Sequence, residues 1–215
     1  MSTWISERAG WRGTLFAALL GPLAGCLAVE PAPQAPLRAV ALGDGALTVT
    51  APRGYCVDRS SLRGPSGRVV LLASCERLTG MPGVAVEPAV MTVSILPQAE
   101  DAPAPTPEGL ARAVAPARVG QSGVMGDLAY AQVIRGDTAP LPGGDPRHWR
   151  GARVVAGHLV GLALYAPEGS ALGGAEGRAL LLALSEGVRA EQGPGQGPIK
   201  GPIQSPIPGL FPVSN

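Results

Sequence analysis

Apolar and polar residues alternate over Ala46 to Thr50 (ALTVT), with β-branched side chains among them, and Pro52 ends the run. That pattern predicts a strand. Arg53-Gly54 then turns the chain into Tyr55-Cys56-Val57-Asp58. Arg68 to Ser74 (RVVLLAS) is apolar almost without a break, as a strand buried on both faces is. Ala89 to Leu96 (AVMTVSIL) is a third strand, stopped by Pro97. A loop rich in Pro, Ala and acidic residues runs from Gln98 to Thr106 and opens a short helix, Glu108 to Ala115. Thr106 fits the N-cap and Pro107 the first helical position, where the missing N–H costs nothing.

Ala129 to Arg135 (AYAQVIR) alternates again, and a Gly/Pro-rich loop continues through Asp145-Pro146. Trp149 to Val155 and Leu159 to Tyr165 are two β-rich runs separated by Ala156-Gly157-His158, the clearest hairpin in the chain. From Gly174 to Ala190 the period changes: Leu180, Leu181, Leu184 and Val188 fall at helical spacing. The order of elements predicts an α+β domain: an antiparallel sheet with one short and one longer C-terminal helix packed on it. Two segments stand apart. Leu27 to Leu37 is proline-rich and reads as a tether, which with its flanks covers 26–45. The tail 191–215 repeats Gly-Pro-Ile-Lys, Gly-Pro-Ile-Gln and Ser-Pro-Ile-Pro, and a proline every fourth residue excludes a continuous helix or a central strand. A single domain over 46–190 is left between a tether and a flexible or polyproline-like tail.

The first 25 residues add a different signal. Arg8 and Arg12 precede the apolar run Thr14 to Leu20, then Gly21-Pro22 and Leu23-Ala24-Gly25-Cys26. This is the layout of a secretory signal, too short in its apolar part for a comfortable membrane span. The last four residues resemble the lipobox of bacterial lipoproteins. The resemblance implies that 1–25 are removed as a signal peptide and that Cys26 becomes the acylated first residue. Two or three acyl chains then hold the protein at the membrane, each buried methylene adding about 0.8 kcal/mol. Leu27 and Ala28 lack the aspartate that retains such proteins at the inner membrane of enteric bacteria, which favours the outer membrane. An uncleaved anchor helix, or a signal cut elsewhere, is the competing reading of these residues.

Of the 17 basic residues Lys200 is the lone lysine and the others are arginines scattered singly. The chain from Cys26 onward carries 15 basic and 15 acidic side chains. Phosphate backbones require a clustered basic face, so nucleic acid is set aside as a partner. Cys56 and Cys75 stand 19 residues apart. With Cys26 taken by lipid, an even pair in an exported protein argues for a disulfide. A metal site is the rival, but it needs further ligands, and His148 and His158 are the only histidines. No metal or cofactor is expected.

Catalytic motifs fail on inspection. Gly120-Gln121-Ser122-Gly123 has its second glycine one place too early for a hydrolase elbow. Gly43-Asp44-Gly45 is followed by Ala-Leu-Thr, which is no dinucleotide fingerprint. Ser122, His158 and Asp127 form an imaginable triple, but a chain of this length always offers one. His158 falls at the hairpin turn, and His148 beside Trp149 reads as the start of an amphipathic strand. Asp58 is placed to hydrogen-bond a turn. No catalytic role is assigned to any of them.

The domain from Leu47 to Ala190 is similar in pattern to the Mog1/PsbP/DcrB-like superfamily. The similarity is carried by Ala51-Pro52-Arg53-Gly54-Tyr55 after the first strand, by the helix after a Pro-rich loop at Pro107, and by the hairpin Gly151 to Tyr165 before the last helix. Gly54-Tyr55-Cys56-Val57-Asp58, Ser74-Cys75 and His148-Trp149-Arg150 also resemble alphaproteobacterial lipoproteins of uncharacterised activity. The resemblance implies an assembly or accessory factor without an active site. The expected function is thus a non-catalytic binding or accessory protein at the periplasmic face, with an envelope protein as partner. The alternatives are a small-molecule or lipid-binding module, with its pocket between the sheet and the closing helix, and an envelope hydrolase.

Overall fold

The computed structural model describes residues 34–64, 68–96, 103–135 and 141–191. The signal peptide, Cys26 and most of the tail lie outside them. Among the described residues ten strands form two sheets. A three-stranded sheet has the order β1-β2-β10, from β1 (Ala39–Leu42), β2 (Leu47–Thr50) and β10 (Val188–Ala190). The larger sheet comprises β3 (Tyr55–Val57), β4 (Val69–Ser74), β5 (Val90–Leu96), β6 (Arg118–Met125), β7 (Leu128–Arg135), β8 (His148–Val155) and β9 (His158–Tyr165). Its order is β3-β4-β5-β9-β8-β7-β6, antiparallel throughout. The helices are α1 (Cys75–Thr79), α2 (Pro107–Ala113) and α3 (Ala175–Glu186). The architecture is α+β.

The register assigns the two faces of the large sheet, because side chains alternate along each strand. Met91, Leu164 and Trp149 share one level on the inner face, and Val93, Leu162 and Gly151 the next. All but Gly151 belong to one core cluster with Leu181 and Leu184 of α3 and Leu47 and Val49 of β2. A Cβ on Gly151 would press on Leu128 and Leu181 at 2.9 and 3.3 Å, which is how closely α3 approaches here. Thr106 caps α2 by accepting from the Gly109 amide at 3.0 Å, and Pro107 occupies the first turn.

Besides the short helix α1, which the sequence reading did not contain, the structure departs from that reading in four places. Ala39–Leu42, inside the stretch read as tether, is strand β1, paired to β2 through a turn over Gly43, Asp44 and Gly45, all at positive φ. The first strand therefore belongs to the smaller sheet. Arg118–Met125 is a full strand that the sequence reading passed over. The last helix ends at Glu186 rather than Ala190. Gly187 breaks it, its carbonyl accepting from the Thr50 amide at 2.8 Å, and Val188–Ala190 join β2 as a strand. His158 is not a turn residue: it opens β9, paired with Val155, and Ala156-Gly157 alone make the turn.

Candidate binding groove on the outer face of the sheet

The outer face of the large sheet is built from different residues than the inner one. At one level it presents Leu71, Thr92, Ala163, Arg150 and Ala131 across five neighbouring strands. At the next come Val69, Ser94, Gly161, Ala152 and Ala129. Apart from Arg150, the side chains at these two levels of β5, β9 and β8 are small, so they leave depth. Leu96 leans over Gly161, where an added Cβ would stand 3.0 Å from its Cδ1. Leu110, Ala113 and Val114 come from α2 and the residue that ends it. Together these enclose a groove of about 450 Å³, with Thr92, Ser94, Val133, His148, Arg150, Ala152, Gly161 and Ala163 among its lining. No Asp or Glu lines it among the described residues.

Arg150 supplies the groove's charge. Its guanidinium carbon sits 5.3 Å from the centre of the Tyr165 ring, a cation–π contact that holds the side chain down on the sheet. Its Nε is buried and has no hydrogen-bond partner among the described residues. His148 also packs against Tyr165, ring centres 5.2 Å apart. The carbonyl of Pro146 lies 3.1 Å from His148 Nδ1. A carbonyl only accepts, so Nδ1 carries the hydrogen and Nε2 is left as an acceptor. Burial holds this histidine below its ordinary pKa, and the Arg150 charge adds to that while the Pro146 carbonyl opposes it. Ser94 Oγ donates to the Gly161 carbonyl at 3.2 Å. A second concavity of about 460 Å³ lies beyond Tyr165, between Ser74, Val90, Leu141, Pro142 and Pro167.

The pocket expected between sheet and closing helix is not where space is found. Leu181 and Leu184 are wholly buried there, together with Val155 and Leu162, and Leu180 packs against the same cluster. Large aliphatics fill the inner face, while the glycine and alanines of the outer face leave the groove.

The other singled-out residues have plain places. Cys56 of β3 and Cys75 at the start of α1 are joined in a disulfide, with Cα atoms 4.8 Å apart. Asp58 accepts from the Ser60 amide at 2.8 Å and its hydroxyl at 2.7 Å, capping a 3-10 turn over Arg59–Arg63. Ser122 lies on β6 and His158 on β9, three strands apart in the order, which is about 14 Å. Asp127 pairs instead with Arg153 at 3.3 Å. Nothing brings the triple together. Arg150, which the sequence leaves among sixteen scattered arginines, is the residue that reading missed. Its signals were its place in the hairpin, two residues after His148, and the His148-Trp149-Arg150 resemblance, neither of which gave it a role. Among the described residues no cluster of His, Cys, Asp and Glu is arranged to hold a metal, and no helix is long and apolar enough to cross a membrane.

No family model matches the chain, and no curated protein matches it. Among solved structures it is similar to the Saccharomyces cerevisiae Ran-binding protein Mog1p, at 12% identity and a TM-score of 0.45, over 72% of this chain and 95% of that one. A mutant of the protein Mog1 gives 13% identity and the same TM-score, over 72% of this chain and 96% of that one.

Proposed function

We propose that this protein is a lipid-anchored, non-catalytic binding or accessory factor at the periplasmic face of a bacterial membrane, the outer membrane being favoured. The observation that carries the binding role is the outer sheet face. It offers two concavities; Leu96, 40% exposed, lines the first, Tyr165 lines the second, and Val69, 44% exposed, stands on the same face beside Ser94. Exposed aliphatics beside a concave, mostly neutral surface suit recognition of a partner. A photocrosslinking residue placed at Leu96 or Val69 should give a discrete adduct in intact envelopes. Placed at the exposed Ala179 on α3 it should give none. Equal adducts at all three positions, or none at any, would remove this role.

The anchor is proposed from the Leu23-Ala24-Gly25-Cys26 motif. Cys26→Ser should leave an unprocessed, unacylated precursor. Mass spectrometry finding an unmodified internal Cys26 in the native protein would end this part of the reading. A second reading, a small-molecule or lipid-binding module, is favoured by one observation: the groove beneath α2 is of ligand size and contains one cation, Arg150, whose Nε has no hydrogen-bond partner among the described residues.

A further inference from the structure

We propose that the groove beneath α2 binds a medium-chain acyl carboxylate, its head on the Arg150 guanidinium and its chain along the floor made by Ala152, Gly161 and Ala163. The inference rests on reading the outer face as a binding surface and adds the chemical class of the ligand. At about 450 Å³ the groove falls within the range of small-ligand sites, roughly 300–1,000 Å³. Its only charged side chain is Arg150, with no carboxylate among the described lining residues. The buried Nε of Arg150 has no acceptor among the described residues, although an arginine fork is shaped to receive a carboxylate through two hydrogen bonds. One cation matches one negative charge, which argues against phosphates of higher charge. Leu96, Leu110 and Val114 make aliphatic walls over a floor of small side chains, and apart from the His148 imidazole no ring lines the groove among the described residues. That surface suits a methylene chain better than a planar ring, which would find only the His148 imidazole to stack on.

Calorimetric titration of the intact protein with decanoate, decanol and decylamine tests the assignment. Decanoate should bind, decanol at least tenfold more weakly, and decylamine not at all. Arg150→Gln should weaken decanoate at least tenfold and leave decanol unchanged. Ala113→Leu should weaken both, because it fills the groove from the exposed surface of α2 without touching the sheet. Equal affinity for decanoate and decanol, or no loss on Arg150→Gln, would overturn the proposal, as would no binding of decanoate at millimolar concentration. If Arg150→Gln does not fold, Ala113→Leu decides: unchanged decanoate affinity in that variant overturns the proposal. The ligand class and the binding face fail separately. Adducts confined to Leu96 and Val69 without decanoate binding remove the first and keep the second.

Discussion

The indole Nε1 of Trp149 donates to the carbonyl of Leu172 at 3.1 Å, and Gly177 stands directly against that pair. A Cβ on Gly177 would fall 1.8 Å from the Leu172 oxygen and 2.7 Å from Nε1. The first of these is backbone, so the strain has no cheap relief. Trp149 is wholly buried and anchors β8 to the turn before α3. Gly177→Ala should therefore destabilise the fold by about 1–3 kcal/mol, the usual cost of overpacking, despite alanine's better helix propensity. Trp149→Phe should lose about 1–3 kcal/mol by leaving the buried Leu172 carbonyl without its donor. Urea titrations read both. Unchanged midpoints in both variants would mean that this contact does not hold α3 in place.

How much of this was legible in the sequence varies with the element. β5 was readable because Met91, Val93 and Ile95 turn inward while Thr92 and Ser94 turn outward, a period of two with no interruption. The β8–β9 hairpin was readable from its Gly-containing turn. β6 was not: RVGQSGVM has two glycines and no clean alternation, and its pairing with β7 shifts register twice. It is a strand because β7 offers it a partner, a tertiary cause that no local window contains. β10 was hidden by Val188, which continues the helical spacing of Leu180, Leu181 and Leu184. Strand pairing with β2 wins because Gly187 binds Thr50 there, leaving no room for a Cβ, which would stand 2.1 Å from the Thr50 oxygen. The groove was half legible. The polar and small positions showed which residues face outward, but Thr92, Ala163 and Arg150 become neighbours only through the strand order.

The β8–β9 turn offers a gain in stability. Ala156 and Gly157 have φ of 50° and 78°, the two positive values of a type I′ hairpin turn. Glycine adopts this backbone freely, whereas an alanine there is strained by its Cβ. Asparagine is tolerated in this region and Asn-Gly is the preferred pair. Ala156→Asn should stabilise the protein by about 0.5–1 kcal/mol without altering the groove. A thermal melt that falls in temperature would show that the turn is of another kind.

The Cys56–Cys75 bond ties the shortest strand of the large sheet, at its edge, to the helix that follows β4. Neighbouring contacts close the same edge: Val57 donates its amide to the Leu37 carbonyl at 2.8 Å, and Cys75 its amide to Gly54 at 2.9 Å. Replacing both cysteines with serine should cost on the order of 2–5 kcal/mol, mostly by freeing the unfolded chain. The loss should appear as a lower denaturation midpoint, and reductant should reproduce it in the wild type but not in the variant. Equal stability with and without reductant would contradict this role.

Acid should weaken the fold in two stages, assigned to two residues on either side of Pro146. His148 is held below its ordinary pKa by burial, with the Arg150 charge adding to it. The unfolded chain therefore takes up a proton near pH 6.5 that the folded chain still refuses. The stability this group contributes is complete above pH 6.5 and is lost as pH falls through the lower folded value. Asp145 is depressed as well, first by its side-chain hydrogen bonds with Arg147, whose Nη2 donates to Oδ2 at 2.7 Å. Its contribution is present above pH 3.8 and disappears below that, as the folded state is driven to protonate. His148→Gln should flatten the upper stage and keep the lower. Asp145→Asn should remove the lower stage and also reduce stability at neutral pH, because Arg147 loses its partner. Denaturation midpoints measured from pH 8 to pH 3 separate the two. An upper stage that persists in His148→Gln would assign it to another group and leave His148 without this part in the acid response.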